Sequence, residues 1–140
     1  HSEFIDNYDD GTQEETTYGK TDIAFSPSVI AGAIFNYSPV KNLTATLQSK
    51  YVGEQFLDNT SDEGRKLDSY LVNDLRLNWK VKTSLFKEFS LTFLVNNLLD
   101  ELYESNGYTY GYIYGGETII ENYYYPQAGR NFLVGVAAKF

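Results

Sequence analysis

Hydrophobic and polar residues alternate along most of this chain, and such alternation predicts β-strands because successive side chains of a strand point to opposite faces. The pattern is clearest in residues 43–53, where one face is mostly apolar and the other mostly polar. Similar segments lie at 28–38, 69–80, 89–99 and 132–140, with Asn73 and Leu94 as departures from the pattern. We therefore predict an all-β antiparallel fold with five long strands, and residues 3–8 fit the end of a sixth.

The connections between these predicted strands alternate between short and long. Short turns are predicted at 38–42 and 81–88, and long loops at 9–27, 54–68 and 104–127. In an antiparallel meander this order places every long loop at one end of the sheet. Most of the acidic residues fall in the long loops or at their margins, whereas several lysines lie near the short turns. The sequence thus predicts a sheet whose two ends differ in charge.

The length and the chemistry of the strands favour the wall of a transmembrane β-barrel. The predicted strands have about ten residues, the length that a tilted strand needs to cross the hydrocarbon layer. The residues predicted to face lipid are Leu47, Leu75, Phe93, Val134, Val136 and Phe140. Those predicted to face a watery lumen are Lys50, Asp74, Arg76 and Asn96. A soluble antiparallel sandwich has the same alternation and remains an alternative.

Composition removes several classes of function. The 140 residues include no Cys and a single His, so a disulfide framework, a thiolate metal site and a histidine-based triad are excluded. No phosphate-binding or nucleophile motif is present, and we expect neither an enzyme nor a cofactor. The net charge of −8 argues against nucleic acid as a partner. A chain that begins at His1 without Met or a signal segment is expected to be processed or truncated.

An acidic segment near the start is similar to a calcium-binding loop in part. Residues 6–11 place Asp at the first and fifth positions and Gly at the sixth. Tyr8 occupies the third position, however, and Thr17 stands where a bidentate Glu is required. We therefore predict a solvated acidic loop without a metal.

Residues 103–125 hold eight of the 13 tyrosines. Gly115-Gly116 lies between two alternating segments, which predicts a hairpin with a two-residue turn. Such a hairpin would align Tyr108, Tyr110, Tyr112 and Tyr114 along one face. Two interpretations stay open: the rings form a ligand-binding surface, or they pack against neighbouring loops and close the barrel.

Several short motifs carry a family resemblance. They are Lys50-Tyr51-Val52-Gly53, Tyr70-Leu71-Val72-Asn73-Asp74-Leu75, Val95-Asn96-Asn97-Leu98-Leu99-Asp100 followed by Leu102-Tyr103, and Tyr125-Pro126-Gln127-Ala128-Gly129-Arg130-Asn131-Phe132. In this order, over residues 23–140, they resemble the last five strands of a TonB-dependent outer-membrane receptor of the Bacteroidota type. The alternation of Phe132, Val134, Val136, Ala138 and Phe140 resembles the signal read by the barrel-assembly machinery. Val134 and Leu99 depart from the residues usual in these motifs.

The resemblance implies that residues 1–140 are the C-terminal part of a 22-stranded barrel whose plug domain is absent from this chain. Such receptors lie in the bacterial outer membrane and import a scarce nutrient, such as a ferric siderophore, haem, cobalamin or, in some branches, a glycan. The implied partners are the rest of the barrel and its plug, the TonB system, the barrel-assembly machinery, lipid with lipopolysaccharide, and the nutrient. The long loops would be extracellular and the short turns periplasmic. A free-standing small outer-membrane barrel and a soluble carbohydrate-binding sandwich are the alternatives.

Overall fold

The computed structural model describes residues 2–8, 10–81 and 87–140. These residues form antiparallel strands and no helix, which confirms the predicted all-β class. The strands are β1 (Ser2–Asn7), β2 (Gln13–Tyr18), β3 (Ile30–Val40), β4 (Leu43–Val52), β5 (Gln55–Phe56), β6 (Lys66–Leu67), β7 (Tyr70–Val81), β8 (Glu88–Asn96), β9 (Glu104–Tyr114), β10 (Glu117–Pro126) and β11 (Asn131–Lys139). They belong to two compact units, described in turn below.

The second unit, residues 29–52, 70–102 and 128–140, contains one five-stranded sheet. Its strand order is β3-β4-β7-β8-β11, so each strand pairs with the members of the set that precede and follow it in the chain. These are the five strands that the alternation predicts, although β8 ends at Asn96 rather than at 99. β3 and β11 are the edge strands, and each has a single partner strand among the described residues.

The register of this sheet gathers the apolar side chains of all five strands on one face. One cross-strand row contains Phe35, Leu47, Leu75, Val95 and Phe132, and the adjacent row contains Tyr37, Ala45, Leu77, Phe93 and Val134. Among the described residues of this unit, no second sheet covers that face. Phe35 is 63% exposed and Val134 is 64% exposed, whereas Val95 is buried. We call this surface the apolar face.

Two polar residues interrupt the apolar face, and they lie opposite each other. Ser49 of β4 is paired with Asn73 of β7, and the Ser49 hydroxyl donates a hydrogen bond of 2.6 Å to Asn73 Oδ1. Asn73, the departure noted in the sequence pattern, therefore has a partner on the same face. A polar pair whose members bond to each other costs less in apolar surroundings than one unpaired group.

The opposite face of the sheet, here the polar face, carries hydrogen bonds between neighbouring strands. Thr46 donates to Asn36 at 2.7 Å, Asn78 donates to Thr92 at 2.9 Å, and Asn96 donates to Asn131 at 2.8 Å. Each bond joins side chains directly opposite in the register. Cross-strand polar pairs of this kind stabilise a face that contacts water.

The turn between β3 and β4 is shorter than the predicted turn at 38–42. β3 continues to Val40, so only Lys41 and Asn42 connect the strands, and Asn42 has a φ of 71°. The predicted turn thus begins three residues too early, because residues 38–40 belong to β3. Pro39 lies instead in an edge strand, within the register shift between Tyr37 and Val40, where a missing N–H breaks no ladder bond. Of the other predicted turn, 81–88, residues 82–86 lie outside the described residues.

The first unit, residues 1–28, 53–69 and 103–127, contains the segments predicted as long loops. These segments are not structureless: β1 pairs with β2, β5 with β6, and β9 with β10. Residues 3–8 thus form half of a separate hairpin and are not a sixth strand of the five-stranded sheet. Leu57 and Leu67 form the buried apolar positions of this unit, with 4% and 1% of their surface exposed.

Candidate functional site

The tyrosine-rich segment forms the hairpin that its sequence predicts. β9 and β10 pair from Tyr114 opposite Glu117 to Glu104 opposite Pro126. Gly115 and Gly116 make the two-residue turn, with φ values of 64° and 85°. Both values lie in the left-handed region, which Gly adopts without a steric cost and which this hairpin turn requires.

One face of the hairpin is lined with tyrosine, and we call it the tyrosine face. The register adds two residues of β10 to the four predicted positions of β9. Its tyrosines are Tyr108, Tyr110, Tyr112, Tyr114, Tyr123 and Tyr125. The rings of Tyr108 and Tyr123 stack with centroids 4.8 Å apart, and those of Tyr110 and Tyr112 lie 5.8 Å apart. Contacts between rings hold the face together from within.

The four predicted tyrosines remain accessible. Tyr112 is the least exposed of them at 37%, and Tyr114 is the most exposed at 76%. These rings therefore present an accessible surface within the described chain, and both interpretations, a ligand-binding surface and a closed lid, stay predictions. Tyrosine suits such a surface because each ring gives rigid apolar area and a polar hydroxyl tip.

Acidic side chains add negative charge to the tyrosine face. Glu121 and Glu117 share it by register, opposite Tyr110 and Tyr114. The Tyr123 hydroxyl donates a 2.6 Å hydrogen bond to Glu121 Oε2. That bond raises the pKa of Tyr123, because loss of the phenolic proton would place two negative charges side by side. The face can therefore donate and accept hydrogen bonds, stack on flat rings and attract cationic groups.

The residues predicted to face a lumen share the polar face of the five-stranded sheet. The strand register places all four on that face: Lys50, Asp74, Arg76 and Asn96. Lys50 and Arg76 are exposed. Asp74 Oδ1 accepts a 2.8 Å hydrogen bond from the backbone N–H of Asn97, so this carboxylate also fixes the end of β8. Their contact with a lumen stays a prediction.

The buried side-chain amide of Asn97 organises the segment after β8. In the sequence, Asn97 is identified only as part of the motif that begins at Val95. Asn97 is 3% exposed. Its Nδ2 donates to the carbonyl oxygens of Glu101 and Ala128, and its Oδ1 accepts from the Glu101 N–H at 2.9 Å. Asp100 Oδ1 accepts from the Arg130 N–H at 2.7 Å. These bonds join the end of β8 to the residues that lead into β11.

The residues proposed as an assembly signal lie on or just beyond β11. Phe132, Val134, Val136 and Ala138 alternate along this edge strand opposite Val95, Phe93, Leu91 and Phe89 of β8. All four therefore belong to the apolar face, and Phe140 follows the end of the strand with 80% of its surface exposed. Their recognition by assembly machinery is a prediction from the resemblance.

The acidic segment 6–11 begins in the last two residues of β1 and continues into the connection to β2. Asp10 Oδ1 accepts hydrogen bonds from the hydroxyl and the backbone N–H of Thr12, which lower the pKa of the Asp10 carboxyl. Asp9 and the side chains of Asp6 and Asn7 lie outside the described residues. Across the described part of the chain, no three His, Asp or Glu side chains converge as a metal site.

Comparison with known proteins adds no relative. No protein-family model, no curated protein and no solved structure matches the chain. Within the described ranges, no helix has the length and apolar character to span a membrane.

Proposed function

We propose that this chain is part of the wall and outer loops of a TonB-dependent outer-membrane receptor, a transporter for a scarce nutrient. The single observation that carries the proposal is the exposed apolar face of the five-stranded sheet. In water, a continuous apolar surface over five strands is unfavourable, whereas in a bilayer the same surface contacts hydrocarbon.

The height of the apolar face supports a membrane setting. Along β7 this face extends from Leu71 to Val81, ten residues apart, with Asn73 as its polar interruption. At a rise of about 3.3 Å per residue this distance is about 33 Å along the strand. A tilt of about 40° reduces it to about 25 Å, the height of the apolar band of outer-membrane barrels.

The open edges of the sheet distinguish this proposal from its alternatives. A free-standing barrel would require β3 and β11 to be closed by further pairing, and each has only one partner among the described strands. A soluble sandwich would require a second sheet against the apolar face, and the described part of this unit contains a single sheet. We propose that the remainder of the barrel pairs with the two edge strands, because unpaired backbone groups are costly in lipid.

In this proposal the first unit faces the cell exterior and its tyrosine face contacts the nutrient. By resemblance the nutrient is a ferric siderophore, haem or cobalamin, and uptake depends on the plug and the TonB system. The exposed rings of Tyr108, Tyr110, Tyr112 and Tyr114 support this role, because flat or macrocyclic ligands can stack on them. The polar face, with Lys50, Asp74, Arg76 and Asn96, then lines the interior around the plug.

The test uses the bacterium whose gene encodes this chain. Cells carrying alanine at Tyr108, Tyr110, Tyr112 and Tyr114 are supplied with a ferric siderophore, haemin or cobalamin as the sole source of the nutrient. We expect growth to fail on one of the three while the protein remains at its normal level in the outer-membrane fraction. Tyr124→Ala is the matched control because Tyr124, paired with Gly107, belongs to the other face of the hairpin.

Two results would contradict the proposal. One is recovery of the protein in the soluble fraction of the cells. The other is growth of the quadruple variant at the parental rate on all three nutrients, provided that deletion of the whole gene abolishes growth on one of them.

A further inference from the structure

A pocket of about 370 Å³ lies wholly within the first unit, and neither the resemblance nor the tyrosine face accounts for it. Residues of β2, of the segment 58–65 and of the hairpin β9–β10 form its wall. The hairpin contributes Thr109, Gly111, Ile113 and Thr118, which belong to the face opposite the tyrosine face, and also Tyr112, whose side chain belongs to the tyrosine face. Its volume lies within the range of small-molecule sites in proteins.

The wall of this pocket is rich in hydroxyl groups. Thr16, Tyr18, Thr109 and Thr118 carry hydroxyls in this wall, and the Thr60 hydroxyl already donates to Asp58 Oδ1. A hydroxyl can both donate and accept hydrogen bonds. Such a wall matches a ligand that itself offers many hydroxyls, and the Tyr18 ring adds surface for the ligand's C–H groups.

The charged residues of the wall neutralise each other. Arg65 Nη1 lies 2.7 Å from Asp58 Oδ2, and the two side chains are 18% and 14% exposed. Asp58 Oδ1 already accepts from the N–H and the hydroxyl of Thr60. A second carboxylate, that of Asp62, lies 3.5 Å from Arg65 Nε.

This arrangement disfavours charged ligands of either sign. An anion would have to compete with two carboxylates for Arg65, and a cation would find both oxygens of Asp58 occupied. Bringing either ion into this half-buried site would remove its hydration without supplying a full replacement. The ligand that fits is uncharged.

One polar atom of the wall also lacks a partner. Thr109 Oγ1 is buried and makes no hydrogen bond with any described residue. Leaving a buried polar group unsatisfied is unfavourable. A small rotation of the Thr109 side chain would turn its hydroxyl toward a ligand in the pocket and remove that cost.

We propose that this pocket binds a small, uncharged, polyhydroxylated ligand of the size of a monosaccharide or a cyclic polyol. Thr16 of β2 and Thr109 of β9 contact the ligand hydroxyls, and the Asp58–Arg65 pair fixes the segment 58–65 of the wall. The site depends on the first unit alone. Its failure would leave the lipid-facing role of the sheet untouched, and failure of the receptor proposal would leave this site standing.

The experiment uses the complete 140-residue chain in a zwitterionic detergent without a sugar headgroup, since an alkyl glycoside would compete for the site. Saturation-transfer NMR measures binding of glucose, maltose and myo-inositol, with inorganic phosphate and choline as charged probes. We expect at least one of the three neutral probes to bind and neither charged probe to do so. Thr16→Val and Thr109→Val should each weaken that binding about tenfold, the effect of one lost hydrogen bond.

Thr17→Val is the matched control, because Thr17 is the exposed neighbour of Thr16 on β2 and does not line the pocket. Valine keeps the branched shape of threonine, so all three variants retain strand-forming side chains. The proposal is supported if Thr16→Val and Thr109→Val weaken binding of the neutral probe while Thr17→Val leaves it unchanged. Absence of binding by all three neutral probes, binding of phosphate or choline instead, or an equal loss in Thr17→Val would overturn it.

Discussion

Phe93 of β8 lies directly opposite Val134 of β11, and the rings of Phe93 and Phe132 pack with centroids 6.1 Å apart. Val134 is nevertheless 64% exposed, because no other described element of its unit covers the apolar face there. The pair shows the central feature of the five-stranded sheet: cross-strand contacts organise apolar side chains that are not buried in a core.

Val134→Arg tests the apolar face at the level of a single residue. If this face contacts lipid, we expect the variant to lose about 2–4 kcal/mol of unfolding free energy in lipid vesicles, as for a cation near the bilayer midplane. Leu133→Arg is the control, since Leu133 is adjacent to Val134 in the chain and lies on the polar face. Urea unfolding in vesicles, followed by Trp79 fluorescence, measures both. Equal losses in the two variants would contradict the assignment of faces.

Asn97→Ala tests the buried amide after β8. The substitution removes the buried amide and its bonds to the backbone of Glu101 and Ala128, at a φ of 51° that alanine tolerates poorly. We expect a loss of about 2–4 kcal/mol. Asn36→Ala removes a single bond between exposed side chains and should cost less than about 1 kcal/mol. The same unfolding measurement applies, and a loss for Asn97→Ala no larger than that control would show that the network has no structural role.

Gly107→Ala tests the close packing of the hairpin. A Cβ at this buried position would lie 2.6 Å from the carbonyl oxygen of Tyr123 on the partner strand, so the two backbones must separate. We expect about 1–3 kcal/mol of destabilisation, seen as faster amide hydrogen exchange across residues 104–126. Gly111→Ala is the control, because its Cβ would sit 3.8 Å from the nearest atom, at ordinary contact distance. Unchanged exchange in Gly107→Ala would mean that the strands are less closely packed than described.

The Asp58 carboxylate predicts a pH dependence for the first unit. Partial burial raises the pKa of this carboxyl, but hydrogen bonds from Thr60 and from Arg65 outweigh burial, so the pKa lies below its ordinary value of 3.8. A carboxylate whose pKa is lowered in the folded state contributes its full stabilisation of the unit above pH 3.8. This contribution is lost as the pH falls through the folded-state pKa.

Thermal unfolding followed by the near-ultraviolet circular dichroism of the tyrosines measures this effect. We expect wild-type protein to be more stable than Asp58→Asn near neutral pH, and the difference to shrink as the pH falls below 3.8. Asp68→Asn, at an exposed carboxylate of the same unit, is the control variant. A difference for Asp58→Asn that stays constant down to the most acidic condition would count against the ion pair.

Sequence alone predicts the long strands because alternation reports directly on two faces. The five segments become β3, β4, β7, β8 and β11, and the glycine pair marks the turn of the tyrosine hairpin correctly. What alternation cannot supply is strand order. Without knowing that β3 is an edge strand, one cannot see that Pro39 is tolerated there.

Other features depend on contacts between distant segments. β2 consists mostly of polar residues, and only its pairing with β1 identifies it as a strand. Asn97 has nothing in its local sequence to show that Ala128 lies within hydrogen-bonding distance. The hydroxyl-lined pocket likewise brings together Thr16, Asp58 and Thr109, and no spacing rule connects them.

Trp79 is the single tryptophan of the chain, and it lies half exposed on the apolar face. Its cross-strand neighbours are Leu43 and Leu91. Its fluorescence therefore reports directly on that face. The decisive measurement is quenching of its fluorescence in vesicles of lipids brominated at either of two depths in the acyl chains. We predict strong quenching, greater for bromines near the headgroup end, because Trp79 lies toward the Lys41–Asn42 end of the sheet. Emission that neither lipid quenches, from a chain that stays monodisperse without detergent, would contradict the account.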